Sequence, residues 1–159
     1  MTQEERELVL KDLCARLPYG LKLEHYGPES RRQITCTLLG VDIFVNDALQ
    51  KCENPVLFDM KGNPFRCPVS YIKPYLRPMS SMTEEELKEL NEKYGNIAYF
   101  FIQEPPYYHG LQAQHSDIGS IEISEFSEIY DWMNAHHLDY RGLIPKGLAL
   151  EAPEDMYKF

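Results

Sequence analysis

The segment "NAHHLDYRG", Asn134 to Gly142, gathers His136, His137, Asp139, Tyr140 and Arg141 into one short run. A histidine beside an aspartate is the arrangement of a general base with its orienting carboxylate. An arginine adds a planar fork for an anionic group. On this reading His136, His137, Asp139 and Arg141 are the catalytic set of a small, hydrolase-like enzyme. The same residues also have a purely structural use. Imidazoles at the end of a helix favour its dipole, and Asp139 can cap the turn that follows.

Two further groups lie upstream. His109, His115 and Asp117 carry metal-ligating side chains, but H-x5-H-x-D is not the spacing of a known metal motif, and H-E-x-x-H is absent. Tyr107-Tyr108-His109 follows Pro105-Pro106 and reads as a recognition loop. Aromatic and arginine side chains anchor interfaces, so Tyr107, Tyr108, His109, Tyr140 and Arg141 are the candidate binding residues. No Walker-type loop, G-x-G-x-x-G or G-x-S-x-G occurs, which removes motif support for nucleotide binding and serine hydrolysis. No cofactor is expected.

The elements that must position these residues are legible from periodicity. Thr2 and Glu5 form a capping box, and Leu10, Leu13, Cys14 and Leu17 recur as one helical stripe. From Leu21 to Val69 the pattern changes to short runs rich in Ile, Thr, Val and Phe, with Gly40 dividing two of them and "MKGN" marking a hairpin turn. This predicts a small antiparallel sheet, or an SH3-like barrel, with one face wet. "KPYLRPMSSMTEEE" then reads as an extended strap, held by Pro74 and Pro78, that runs into a well-specified helix. Thr83 and Glu86 form a second capping box, Met82 and Leu87 a hydrophobic staple, and the glutamates favour the helix dipole. Leu87, Leu90 and Tyr94 face the core. "NIAYFFIQ" and "SIEIS" read as strands. Phe126, Ile129, Tyr130 and Met133 mark a third helix that ends near His136-His137, with Trp132 packed beside it. The remainder allows only single turns.

The whole is an α+β protein: an N-terminal helix and small sheet, then a helix–strand–helix half. It reads as a single unit over residues 1–159, with a division into 1–78 and 79–159 as the alternative.

Composition bounds the function. The chain has 159 residues, 25 acidic against 16 basic side chains, and a formal charge of -9. That balance opposes general nucleic-acid binding, which rests on phosphate neutralisation, and an anionic membrane surface. No run approaches the roughly 20 apolar residues of a membrane span. The N-terminus lacks the basic and apolar regions of a secretion signal. Cys14, Cys36, Cys52 and Cys67 have no C-x-x-C spacing and read as reduced, half-buried residues of a cytoplasmic protein.

"IKPYLRPMSSMTEEE" and "WMNAHHLDYRGLIPKGLALEAPEDMY" together resemble a group of small proteins encoded by gut anaerobes, their phages and other mobile elements. The resemblance is best in the second half of the chain. It implies a cytoplasmic accessory protein of phage or mobile-element origin. It carries no reaction and transfers no functional residue. The expectation is therefore a non-enzymatic interaction protein that binds a protein partner, with the His/Asp/Arg enzyme as the alternative.

Overall fold

The computed structural model describes residues 1–26, 34–45, 51–58, 62–94 and 123–157. The fold is α+β. Helix α1 (Gln3–Arg16) leads into β1 (Lys22–His25), β2 (Ile34–Val45), β3 (Lys51–Phe58), β4 (Pro64–Arg66) and β5 (Ile72–Leu76). Helix α2 (Glu84–Tyr94), helix α3 (Ile123–Ala135) and a short β6 (Leu150–Glu151) follow. The strands form one open sheet in the order β4-β3-β2-β1-β5-β6.

Of the two forms expected, the open sheet is present and the barrel is not, because the two ends of this order are different strands that do not pair. Nor is the sheet wholly antiparallel. β1 to β5 pair antiparallel, but β6 joins β5 in parallel. The core side carries Leu21, Leu23, Cys36, Leu38, Leu57, Ile72 and Leu76, packed with Val9 and Leu13 of α1. On the alternate positions Thr35 and Leu39 are exposed, and Lys22, Glu24, Lys73 and Tyr75 are half-buried. This is the wet face expected of a one-sided sheet.

Three local expectations change. Gly40 does not separate two strands. β2 runs through it, with a register shift between Leu38 and Gly40; a glycine inside a strand often marks such an irregularity. "KPYLR" is not a strap but the strand β5, flanked by β1 and β6. Pro74 is tolerated there because the ladder alternates. Tyr26 N–H donates to Tyr71 O at 2.9 Å, so Pro74, opposite Leu23, falls on a position that exchanges no hydrogen bond with β1. The tail of "SIEIS" is helical, since α3 already begins at Ile123. Ile123, Phe126, Tyr130 and Met133 keep the helical spacing, which outweighs the brief alternation before it. "NIAYFFIQ" lies outside the described residues.

Both capping boxes are present. Glu5 N–H donates to Thr2 Oγ1 at 3.1 Å and Thr2 N–H to Glu5 Oε2 at 2.6 Å. Glu86 N–H donates to Thr83 Oγ1 at 3.2 Å and Thr83 N–H to Glu86 Oε2 at 2.8 Å. Glu86 has a second role that local pattern does not show. Arg77, just past β5, grips both its oxygens, at 2.6 and 2.8 Å. Burial works to raise the Glu86 pKa, but the Arg77 hydrogen bonds, the Thr83 N–H and the Arg77 charge outweigh it and hold the carboxyl below its usual range. The pair ties the start of α2 to the end of β5.

Met82, Leu87 and Leu90 pack with Ile129, Trp132, Met133 and Leu138 in a second cluster between α2 and α3. Trp132 is 9% exposed, and its Nε1–H donates to Glu89 Oε1 at 3.0 Å. Among the described residues no helix is long and apolar enough to cross a membrane.

Thr83→Ala is expected to lower stability by about 1 kcal/mol, the usual worth of a cap. Glu86→Ala removes the cap partner and the Arg77 pair together and should cost about 2–3 kcal/mol. Urea unfolding followed by Trp132 emission, which shifts red as the ring meets water, measures both. Equal losses would mean that Arg77 adds nothing at Glu86.

Candidate functional site

Helix α3 ends in a Schellman motif. Leu138 N–H donates to Met133 O at 3.0 Å and His137 N–H to Asn134 O at 3.1 Å. The motif needs a left-handed residue at its turning point, and His137 takes that place with φ 54°. Leu138 and Met133 pack together beneath it. The chain then runs beside β5, where Arg77 N–H donates to His137 O and Asp139 N–H to Arg77 O, both at 2.8 Å.

The carbonyls of this turn, each already taking one backbone N–H, also meet a buried cation from far back in the sequence. Arg16, the last residue of α1, is fully buried. Its guanidinium donates to Leu138 O at 2.7 Å, and more loosely to Asn134 O at 3.4 Å and Met133 O at 3.5 Å. Its Nε–H donates to Asp12 Oδ2 at 2.9 Å, one turn back on α1. Asp12, also fully buried, receives Arg141 on its other oxygen at 2.9 Å. Tyr140 lies between the two arginines, 4.7 Å from Arg141 and 5.5 Å from Arg16, and its O–H donates to Asn134 Oδ1 at 3.0 Å. A cation at a helix C-terminus is favoured by the dipole, most strongly where water is excluded.

The candidate residues therefore gather in one region but face different partners. His136 stacks on Trp132 at 3.8 Å, and its Nδ1 lies 2.9 Å from Trp132 O. His137 is 2% exposed and stacks on Tyr157 at 3.8 Å. The Asp139 carboxylate accepts Leu143 N–H at 2.8 Å and Ile144 N–H at 2.7 Å, the turn-capping use weighed for it above. Burial pushes its pKa up, against the pull of those two N–H groups. Arg141 is held by Asp12. Tyr107, Tyr108, His109, His115 and Asp117 lie outside the described residues.

Among the described residues no three His, Cys, Asp or Glu side chains converge on a point that could hold a metal. An open cleft of about 840 Å³ runs along α1, past Met1, Arg6, Lys11, Val41 and Ser70. None of the described candidate residues lines it. Among the cysteines whose side chains are described, Cys36 and Cys67 are buried and Cys14 is exposed. Burial and the neighbouring Cys36 push the Cys67 thiol up to about 12, so it stays protonated and unreactive.

The residues that organise this region, Asp12 and Arg16, were missed. The stripe Leu10, Leu13, Cys14, Leu17 placed Cys14 inside, whereas the buried face of α1 is Val9, Leu10, Asp12, Leu13 and Arg16. One signal was available. Asp12 and Arg16 are four apart, spaced to pair, and interleave with Val9 and Leu13 on the same side of the helix.

Arg16→Met is expected to cost about 3–5 kcal/mol, because it removes one of the two cations that balance the buried Asp12. Combining it with Asp12→Leu should cost less than the sum of the two single changes. A double-mutant cycle by chemical unfolding checks this, and strict additivity would deny the coupling.

Burial, then the charges of Arg16, His136 and Arg77, lower the His137 pKa to about 3 from 6.5, against one backbone hydrogen bond at Tyr19. A histidine whose folded pKa is depressed contributes fully above its unfolded pKa and loses that contribution as pH falls toward the folded value. Stability should therefore decline below pH 6.5 by up to about 1.4 kcal/mol per pH unit from this group. His137→Asn, which still accepts the left-handed backbone, should flatten the decline between pH 6.5 and 4.5 in urea titrations. An unchanged slope would assign the acid sensitivity to other groups.

Comparison with protein-family models, with curated proteins and with solved structures gives no match to this chain.

Proposed function

We propose that this protein is a non-catalytic interaction module that binds a protein partner, an accessory factor of phage or mobile-element origin acting in the cytoplasm. One observation supports the reading above the rest. Each side chain that would have to serve an enzyme at "NAHHLDYRG" already has an internal task. Asp139 carries two backbone N–H groups, Arg141 is bound to Asp12, and both imidazoles lie flat against aromatic rings. A general base must reach the proton it removes; His137 is buried and stacked, and neither imidazole lines the cleft along α1. The acidic balance of the chain favours a partner with basic character over nucleic acid or an anionic membrane.

The binding determinants are then sought away from the clasp at the end of α3, with Tyr107 and Tyr108 first. The test is capture by the tagged full chain from its producing cells, followed by titration of the purified partner by calorimetry. Replacing Tyr107 and Tyr108 by Ser should weaken binding by roughly thirtyfold while leaving the melting temperature unchanged. Arg141→Ala should instead lower affinity and stability together, because Asp12 loses a partner. No reproducible partner, or turnover of a small substrate that His137→Asn abolishes without unfolding, would transfer the assignment to the enzymatic alternative.

A further inference from the structure

The ladder between β1 and β5 stops one pair early, and a side chain takes the missing place. The register sets His25 against Ile72, Glu24 against Lys73 and Leu23 against Pro74. Continued by one residue, it sets Lys22 against Tyr75. In the alternation begun by Tyr26 and Tyr71, that pair is due to exchange backbone hydrogen bonds. Instead the Tyr157 hydroxyl stands between them. Lys22 N–H donates to Tyr157 Oη at 3.0 Å, and Tyr157 O–H donates to Tyr75 O at 3.0 Å. On its other side β1 stays paired with β2, where Leu38 N–H donates to Leu21 O at 2.9 Å. The two strands thus part into a slot with a backbone donor on one wall and a backbone acceptor on the other. His137 forms its flat side, stacked on the Tyr157 ring with an interplanar angle of 23°.

The segment that delivers Tyr157 joins the sheet over a short stretch. β6 pairs with β5 through Leu150 and Glu151 alone. Ala152 N–H donates to Leu76 O at 2.8 Å. Pro153, Glu154 and Asp155 are exposed before the chain returns at Tyr157. The slot is built from α1-to-β1, β5 and post-α3 backbone, none of it from residues 150–157.

We propose that this slot is a binding site for the phenol of a tyrosine side chain, which the protein fills with its own Tyr157 and opens to a tyrosine of another chain when residues 150–157 swing out as a latch. The slot selects a ring with a para hydroxyl, since only that group accepts from Lys22 and donates to Tyr75 at once. A phenylalanine would leave both backbone groups without their partner. The inference does not depend on the function proposed above.

Two experiments on the full chain test it. In Tyr157→Ala, p-cresol should bind and raise the melting temperature, while toluene, the same ring without the hydroxyl, binds about tenfold more weakly. No binding of p-cresol, or equal binding of toluene, overturns the site. Should Tyr157→Ala not fold, Tyr157→Phe serves: its Lys22 amide should exchange with deuterium about tenfold faster than in the unaltered protein, and an equal rate overturns the bridge. The latch is read in the unaltered protein by the same exchange. The amides of Lys22 and Ala152 should exchange together and faster than that of Leu38. If all three exchange only with global unfolding, the segment does not open and the latch is wrong.

Discussion

The end of helix α3 is held by a charge that came from elsewhere. A helix terminus leaves carbonyls without partners, and burying them without donors is costly. Here the Arg16 guanidinium supplies donors, Asp12 balances its charge, and Arg141 completes the valence of Asp12. The cluster is buried, so each member depends on the others more than a surface pair would. Remove the cation and the carbonyls keep only their backbone donors, while the buried Asp12 is left with Arg141. The direction of the chain after α3, and with it the placement of Asp139, Tyr140 and Tyr157, follows from that clasp.

The two hydrophobic clusters meet across it. One lies between α1 and the sheet, the other between α2 and α3. Arg16 belongs to the helix of the first and bonds to the helix of the second. Arg77 does similar work at the next level out, fastening β5 to the cap of α2 through Glu86 and to the post-helix strand through its own backbone. Polar groups, not additional apolar area, set the relative position of the layers in both places.

What was legible in the sequence was what a few neighbouring residues decide. Thr2 with Glu5 and Thr83 with Glu86 each announce a helix start, because both partners of a capping box lie within one turn. Asp139 as a turn cap was readable for the same reason. The α+β class followed from periodicity. The alternative of a barrel, the strap, and a strand reaching Ile123 and Ser124 did not hold, because strand order and the choice between a lone extended segment and a paired strand depend on distant residues. Pro74 argued against a strand flanked on both sides, and only the register shows that it sits where no donor is needed. The candidate site was half legible. The cluster at 136–141 was found, but its partners Asp12 and Arg16 lie more than a hundred residues away and were hidden because Leu10, Leu13 and Leu17 already account for an apolar face of α1.

That separation has a consequence for how the molecule comes into being. Arg16 and Asp12 leave the ribosome early, and the carbonyls of Met133, Asn134 and Leu138 leave it late. At ordinary elongation rates the interval is on the order of ten seconds. Throughout it, helix α1 carries a charged pair on the face it must bury, and the α3 carbonyls that will receive Arg16 have not yet been made. Hydration of those two charges keeps the half-made chain wet where an all-apolar helix would be adhesive. The ion pair that organises the finished fold thus also works as a solubilising group for the nascent one, and gives up that role only when the last fifth of the chain arrives.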